Sequence, residues 1–274
     1  MSENQDWAIA DNPLAAAVQQ RDADMLQMVR HGLETRNVML AFQPIVQAAN
    51  VGVPAFYEGL IRVMDDTGRV IPARDFISAI EPLPEGRIID CLALDMGCNA
   101  LMENPSLRLS INLSPRSIGN PQWEQVLETA LGQDPTLGER LILEITEASA
   151  MVMPDAVVNF MDRIHDKGIC FALDDFGAGY TAFRYFKDFY FDLVKIDCGF
   201  IRNIDRDPDN QILTEALVSI AQHFDMFTVA EGIEAAAEAE YLIGAQVDCL
   251  QGYLFGAPKL RLPENAKGSF SRAG

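Results

Sequence analysis

Residues 169–175 read Ile-Cys-Phe-Ala-Leu-Asp-Asp, an apolar run that ends in two adjacent acids. Its length and bulk suit a buried strand, and the glycines at 177 and 179 supply turn freedom after it. Working outward, the same kind of run recurs as NVMLAFQ (37–43), AFYEGLIRV (55–63), LRLSINLS (107–114), LILEITE (141–147), FDLVKID (191–197), FTVAEG (227–232) and VDCLQGYLF (247–255). Helix-length amphipathic stretches at 88–102, 122–131, 154–166, 180–187, 209–224 and 235–243 follow most of them. Strands alternating with helices predict a mainly parallel sheet, and eight such strands predict an α/β fold of the (β/α)8 barrel type. Only about ten residues separate the first two runs, too few for a crossover helix, so these two strands are expected to be antiparallel neighbours.

The chain has 274 residues, 49% hydrophobic and 22% charged, which excludes a disordered polymer. Acids outnumber bases 40 to 21, for a net charge of −19. Such a surface repels nucleic-acid polymers and anionic membranes, although a bound divalent metal can reverse the field locally. No apolar run reaches the roughly 18–20 residues of a membrane span. The acidic, polar stretch MSENQDWAIADNPL fits neither a signal nor a transit peptide, so a cytoplasmic location is expected. Residues 1–36 are read as a leader and helix, the helix over 14–35 being read as a cap on the open barrel bottom in preference to a partner-docking element. Residues 37–260 are read as the barrel and 261–274 as a tail. Five scattered cysteines without a CxxC pair point to small buried hydrophobes rather than disulfides or zinc.

The chemistry gathers at strand ends. Glu58, Asn112, Glu144, Asp174 with Asp175, Lys195, Glu231 and Gln251 lie near the ends of seven runs, and Gln43 lies in the first. In a barrel these ends converge on one mouth. A single acid in an apolar strand is usually held by a backbone amide or an arginine, but five carboxylates on one rim demand cations. Oxygen-only donors select Mg²⁺ or Mn²⁺ over zinc. The adjacent aspartates cannot both face the mouth on a regular strand, so a bend is expected there. It would let Asp174 bridge two metals while Asp175 serves the second. Asp175-Phe176-Gly177 matches the metal-binding triplet of protein kinases, but no HRD-type loop or Gly-rich phosphate loop precedes it. His31, His165 and His223 fall on expected helices, away from the mouth.

Taken in order, Phe42-Gln43-Pro44, Tyr57-Glu58-Gly59-Leu60 with Arg62, Asn112-Leu113-Ser114-Pro115-Arg116, Glu144-Ile145-Thr146-Glu147, Asp174-Asp175-Phe176-Gly177, Lys195-Ile196-Asp197, Ala230-Glu231-Gly232-Ile233-Glu234 and Gln251-Gly252-Tyr253 resemble the EAL phosphodiesterase family over residues 37–258. The resemblance implies a modified barrel with one antiparallel strand. It also implies hydrolysis of cyclic di-GMP to linear pGpG with two Mg²⁺ or Mn²⁺ ions, Ca²⁺ inhibiting. Glu58, Asn112, Glu144 and Asp174 would hold the first ion, and Asp174, Asp175 and Glu231 the second. Lys195 would hold or activate the attacking water, its pKa lowered by the nearby cations, and Gln251 would position that water, with Glu58 and Glu231 completing the catalytic set. Gln43, Arg62, Asp197 and Glu234 would contact the nucleotide, Arg62 through a phosphate. Glu147 would anchor the loop after the aspartate pair, which in the family couples dimer contacts to metal binding. A homodimer is therefore expected, with room for a regulatory protein partner.

Two departures stand out. The name motif carries Gly59 in place of alanine, which keeps the glutamate at some cost in strand rigidity. The loop reads GAGYTAF where the family usually has GTGYSSL, so Ala178 and Ala182 each lack a hydroxyl. The competing reading is a non-catalytic cyclic di-GMP receptor. Such degenerate members usually lack several metal or water-handling residues, all of which stand in this sequence.

Overall fold

A computed structural model describes residues 13–178, 187–263 and 266. Its strands are β1 (Val38–Gln47), β2 (Asn50–Met64), β3 (Val70–Pro72), β4 (Leu109–Asn112), β5 (Leu141–Thr146), β6 (Cys170–Phe176), β7 (Leu193–Ile196), β8 (Phe227–Ala230) and β9 (Cys249–Gln251). They form one sheet in the order β1-β9-β8-β7-β6-β5-β4-β2-β3, and pairing of β1 with β2 closes it. The result is an eight-stranded barrel with β3 added at the rim. β1 runs antiparallel to both its neighbours, β2 and β9, while the other barrel strands are mutually parallel. The short first connection thus forces the hairpin that its length predicts. β3 is too short to leave a pattern in the sequence.

The helices are α1 (Pro13–Glu34), α2 (Ile77–Ile80), α3 (Pro84–Glu103), α4 (Pro121–Gln133), α5 (Glu147–Ala150), α6 (Pro154–His165), α7 (Cys198–Ile201), α8 (Pro208–His223) and α9 (Ala236–Gly244). Local chemistry sets several starts. Asn120 accepts hydrogen bonds from the Gln122 and Trp123 amides at the head of α4, and Asp207 does the same for Asp209 and Asn210 at the head of α8. Proline occupies the first turn of both, where its missing N–H costs nothing. The helices bury their apolar faces on the barrel wall. Trp123 of α4, Phe160 of α6 and Phe171 of β6 stack edge to face with centroids 5.6 and 5.8 Å apart. The helix expected at 180–187, Gly179 and Ala182 of the loop, residues 1–12 of the leader and most of the tail lie outside the described residues, in whole or nearly so.

The placement of α1 corrects the expectation of a bottom cap. Val29 and Leu33 are buried, and a Cβ added to Gly32 would meet Val63 Cγ1 at 2.3 Å. Val63 sits at the C-terminal end of β2, beyond Glu58, which is the end of the barrel opposite its floor. The reason is topological: α1 leads into β1, and the antiparallel β1 begins at the mouth.

Strand alternation sorts the barrel interior into layers. Ile45, Phe56, Ile142, Ala172, Leu193, Val229 and Cys249 form a separate apolar cluster in the lower barrel. Two residues further along β2, β5, β6, β7, β8 and β9 stand Glu58, Glu144, Asp174, Lys195, Glu231 and Gln251. On the reversed β1, the equivalent of Ile45 is Gln43, two residues back.

Candidate active site

The polar layer centres on Lys195. Its side chain is only 1% exposed, and Nζ lies 2.7 Å from Glu231 Oε1, 2.9 Å from Glu144 Oε2, 3.1 Å from Asp174 Oδ1 and 3.5 Å from Glu58 Oε2. Burial alone would lower the lysine's pKa, but Asp174, Glu144, Glu231 and Glu58 together raise it well above its usual range.

The acids divide. Burial pushes Glu144 and Glu231 up, Lys195 only partly opposing it. Burial acts on Glu58 the same way, but Lys195 and the amides of Gln251 and Asn112 outweigh it and hold Glu58 low. Those amides donate to Glu58 at 2.6 and 3.1 Å. Asp175 is pushed up to about 6, first by desolvation and then by Asp174.

The expected bend at the aspartate pair is present. The β6–β7 register slips between Leu173 and Phe176, and Asp175 takes φ +56°, in the left-handed region that aspartate tolerates better than most residues. Asp174, Asp175 and Glu231 thereby each present an oxygen within 4.8 Å of the others.

The donor set suits a hard divalent cation. Four carboxylates surround one ammonium, the exposed Asp175 adds a fifth beside Asp174 and Glu231, and the buried atoms Glu144 Oε1 and Gln251 Oε1 accept no hydrogen bond. No His or Cys belongs to the acidic cluster that Asp174, Asp175 and Glu231 form.

The other sequence-expected residues are placed as follows. Gln43 pairs opposite Glu58 across the hairpin, and its Nε2 donates to the Gly256 carbonyl at 3.2 Å. Arg62 lies four residues beyond Glu58 on the same face of β2, half-buried, with Nη1 donating to the Ile61 carbonyl at 2.9 Å. Asp197 caps α7 by accepting from the Gly199 amide at 2.9 Å, and its charge is felt at Asp175. Glu234 is exposed, with its amide bonded to Glu238 at 3.0 Å. Glu147 is buried and accepts from the Gly177 amide at 3.1 Å, directly behind the aspartate pair. The histidines stand on helices: His31 on α1, His165 at the end of α6 beside Asp192 at 3.1 Å, and His223 at the end of α8.

Gly59 is matched by its surroundings. A Cβ there would meet Ile111 Cδ1 at 2.6 Å, and one on Gly97 would meet the same atom at 2.9 Å. Ile111 fills the space left by two missing methyl groups.

A supporting network goes unread in the sequence. Asp90 of α3 is buried and accepts from the Ser114 amide at 3.2 Å and from the Ser117 hydroxyl at 2.5 Å. Glu81 accepts from the hydroxyls of Ser114 at 2.8 Å and Ser149 at 3.3 Å. These acids tie the segments just after Asn112 and Glu147 to the α2–α3 corner. Burial pushes Asp90 up to about 7 despite its hydrogen bonds. One inward acid in a helix of ordinary amphipathicity leaves no periodic signal.

The EAL domain model matches residues 26–258, and the chain belongs to the EAL domain family. An uncharacterized signaling protein of Caulobacter vibrioides is 32% identical over 84% of this chain and 28% of its own length. MucR of Pseudomonas aeruginosa, a bifunctional diguanylate cyclase/cyclic di-GMP phosphodiesterase, is 29% identical over 87% of this chain and 36% of its own length. The chain thus spans about a third of these curated relatives. Among solved structures, the PaMucR phosphodiesterase in its c-di-GMP complex superposes with a TM-score of 0.78 at 29% identity, covering 86% of this chain and 97% of that one. The FimX EAL domain of Pseudomonas aeruginosa bound to c-di-GMP, 23% identical with a TM-score of 0.78, covers 87% of this chain and 97% of that one, and supports the fold alone. No helix among the described residues is long and apolar enough to cross a membrane.

Proposed function

We propose that this chain is a metal-dependent phosphodiesterase that opens cyclic di-GMP to linear pGpG by attack of water. The observation that carries the reading is the excess of acids at the mouth, four carboxylates about one buried ammonium with Asp175 beside two of them. Glu58, Asn112, Glu144 and Asp174 would hold one ion, and Asp174, Asp175 and Glu231 a second. Bound there, Mg²⁺ or Mn²⁺ would lower the pKa of water and take up charge on the phosphoryl oxygens.

The chain's own groups complete the chemistry. Lys195, with Nζ at the centre of the layer, would hold or activate the attacking water. Gln251 donates its amide N–H to Glu58 and keeps a buried Oε1 without a hydrogen bond, an acceptor that would orient that water's O–H. Arg62 would meet a phosphate, and Gln43, Asp197 and Glu234 would contact the nucleotide. Glu147 fixes the start of the loop after Asp175 through Gly177. The family resemblance supports a homodimer, which sedimentation tests.

The deciding experiment incubates the protein with cyclic di-GMP and separates the products by chromatography. Conversion to pGpG is expected with Mg²⁺ or Mn²⁺, with none after chelation and none with Ca²⁺, whose longer, looser bonds hold water poorly for attack. Binding without cleavage under every divalent ion would instead make the chain a receptor.

A further inference from the structure

Above the polar layer, one wall of the mouth carries a contact that the chemistry described so far leaves unused. Arg62 on β2 pairs with Pro72 on β3, so Arg74, two residues on, stands just outside it. Tyr253 lies two residues beyond Gln251 on the far side of β1. The two meet across β1: Arg74 Nη1 donates to Tyr253 Oη at 3.5 Å, a bond at the long limit that a ligand can readily replace. Both are held out into solvent, the Arg74 side chain 75% exposed and Tyr253 56% exposed. Arg74 and Arg62 also act on each other as like charges, in a chain whose net charge is −19. Asp75 offsets this only from a distance, 3.7 Å from Arg74 Nε.

We propose that Arg74 and Tyr253 form an outer subsite that reads a guanine base of the substrate, which makes Arg74 a specificity-determining residue. The inference rests on the cyclic di-GMP reading given above. Guanine presents adjacent acceptors, O6 and N7, that match the two-pronged guanidinium, whereas adenine replaces O6 with an amino donor. The exposed tyrosine ring offers a stacking face for the same base. A phosphate is the less apt occupant, because the half-buried Arg62 stands closer to the metal-binding layer and is the phosphate contact proposed above.

The test measures KM for cyclic di-GMP and Ki for cyclic di-AMP as a competitor, using the full chain with Mg²⁺. Arg74→Ala is expected to raise KM and reduce the preference for the guanine dinucleotide by about tenfold, the scale of one lost bidentate contact. Tyr253→Ala is expected to weaken both nucleotides together, and Tyr253→Phe to restore them, since stacking ignores base identity. An unchanged Ki/KM ratio in Arg74→Ala overturns the proposal. So does an equal loss for both nucleotides in that variant, which would mark simple charge attraction. An unmutated protein that cleaves no cyclic di-GMP overturns the proposed function and this subsite with it, a result visible before any variant is made.

Discussion

Leu193 and Lys195 stand two residues apart on β7, both buried, the first in the barrel's apolar floor and the second among four carboxylates. The same step separates Ile142 from Glu144, Ala172 from Asp174 and Val229 from Glu231. The floor needs no partners: its burial is favourable by about 25 cal/mol for each Å² removed from water. The mouth is costly to bury until its charges are matched, and among the described residues Lys195 is the one ammonium set against Glu58, Glu144, Asp174 and Glu231. Position along a strand therefore decides whether an inward side chain stabilises the fold or waits for a ligand. The stability from the floor and outer core offsets a layer that is ill matched without cations.

The contrast is sharpest in a pair of substitutions. Lys195→Ala leaves buried carboxylates facing one another. It is expected to cut turnover by about a hundredfold or more and to destabilise the metal-free protein by about 3–5 kcal/mol, with Mg²⁺ recovering much of that stability. Leu193→Ala removes floor packing and is expected to cost about 2–5 kcal/mol whether or not Mg²⁺ is present. Denaturant melts of both variants with and without Mg²⁺ check this, and the same metal response in both would erase the distinction between layers.

Asp90 tests a third environment, behind the mouth but outside it. Its pKa rises from 3.8 to about 7 on folding, so between those values the folded protein binds the extra proton. Stability attributable to this group is therefore greatest at low pH and falls as pH climbs through about 7, by a few kcal/mol at roughly 1.4 per pKa unit. Asparagine can accept the same two hydrogen bonds without ionising. Asp90→Asn is expected to flatten that part of the pH–stability curve and to be the more stable form at pH 8. A slope identical to that of the unmutated chain would contradict the assignment.

The smallest effect is expected at Gly59. Alanine there must displace the buried Ile111 Cδ1, so Gly59→Ala should cost about 1 kcal/mol despite gaining strand rigidity. Pairing it with Ile111→Val should recover part of the loss, which a double-mutant cycle in thermal melts would show.

Much of this architecture was legible in the sequence because a barrel repeats one simple signal, an apolar run with a polar residue near its end. LILEITE and FDLVKID placed Glu144 and Lys195 correctly for that reason. The short gap before AFYEGLIRV revealed the antiparallel strand because chain length forbids a crossover. Three features were hidden. The course of α1 follows from the reversed β1, not from any residue in the helix. Glu58 lies in the middle of a 15-residue strand, so the run showed the residue but not how far β2 extends beyond the mouth. Asp90 and Arg74 act through contacts to segments distant in sequence, Ser114 and Ser117 for one and Tyr253 for the other, and no local pattern records such contacts.

The most direct measurement is the rate of cyclic di-GMP cleavage by Glu58→Gln beside the unmutated protein across a Mg²⁺ titration. Glutamine keeps the size of the side chain but has one acceptor oxygen where Glu58 uses two, so it keeps the bond from Asn112 or the bond from Gln251 while the charged donor is lost. A fall of at least about a hundredfold, with half-saturation moved to higher Mg²⁺, is expected if the mouth layer works through bound cations. Near-normal cleavage with an unchanged Mg²⁺ requirement would contradict it.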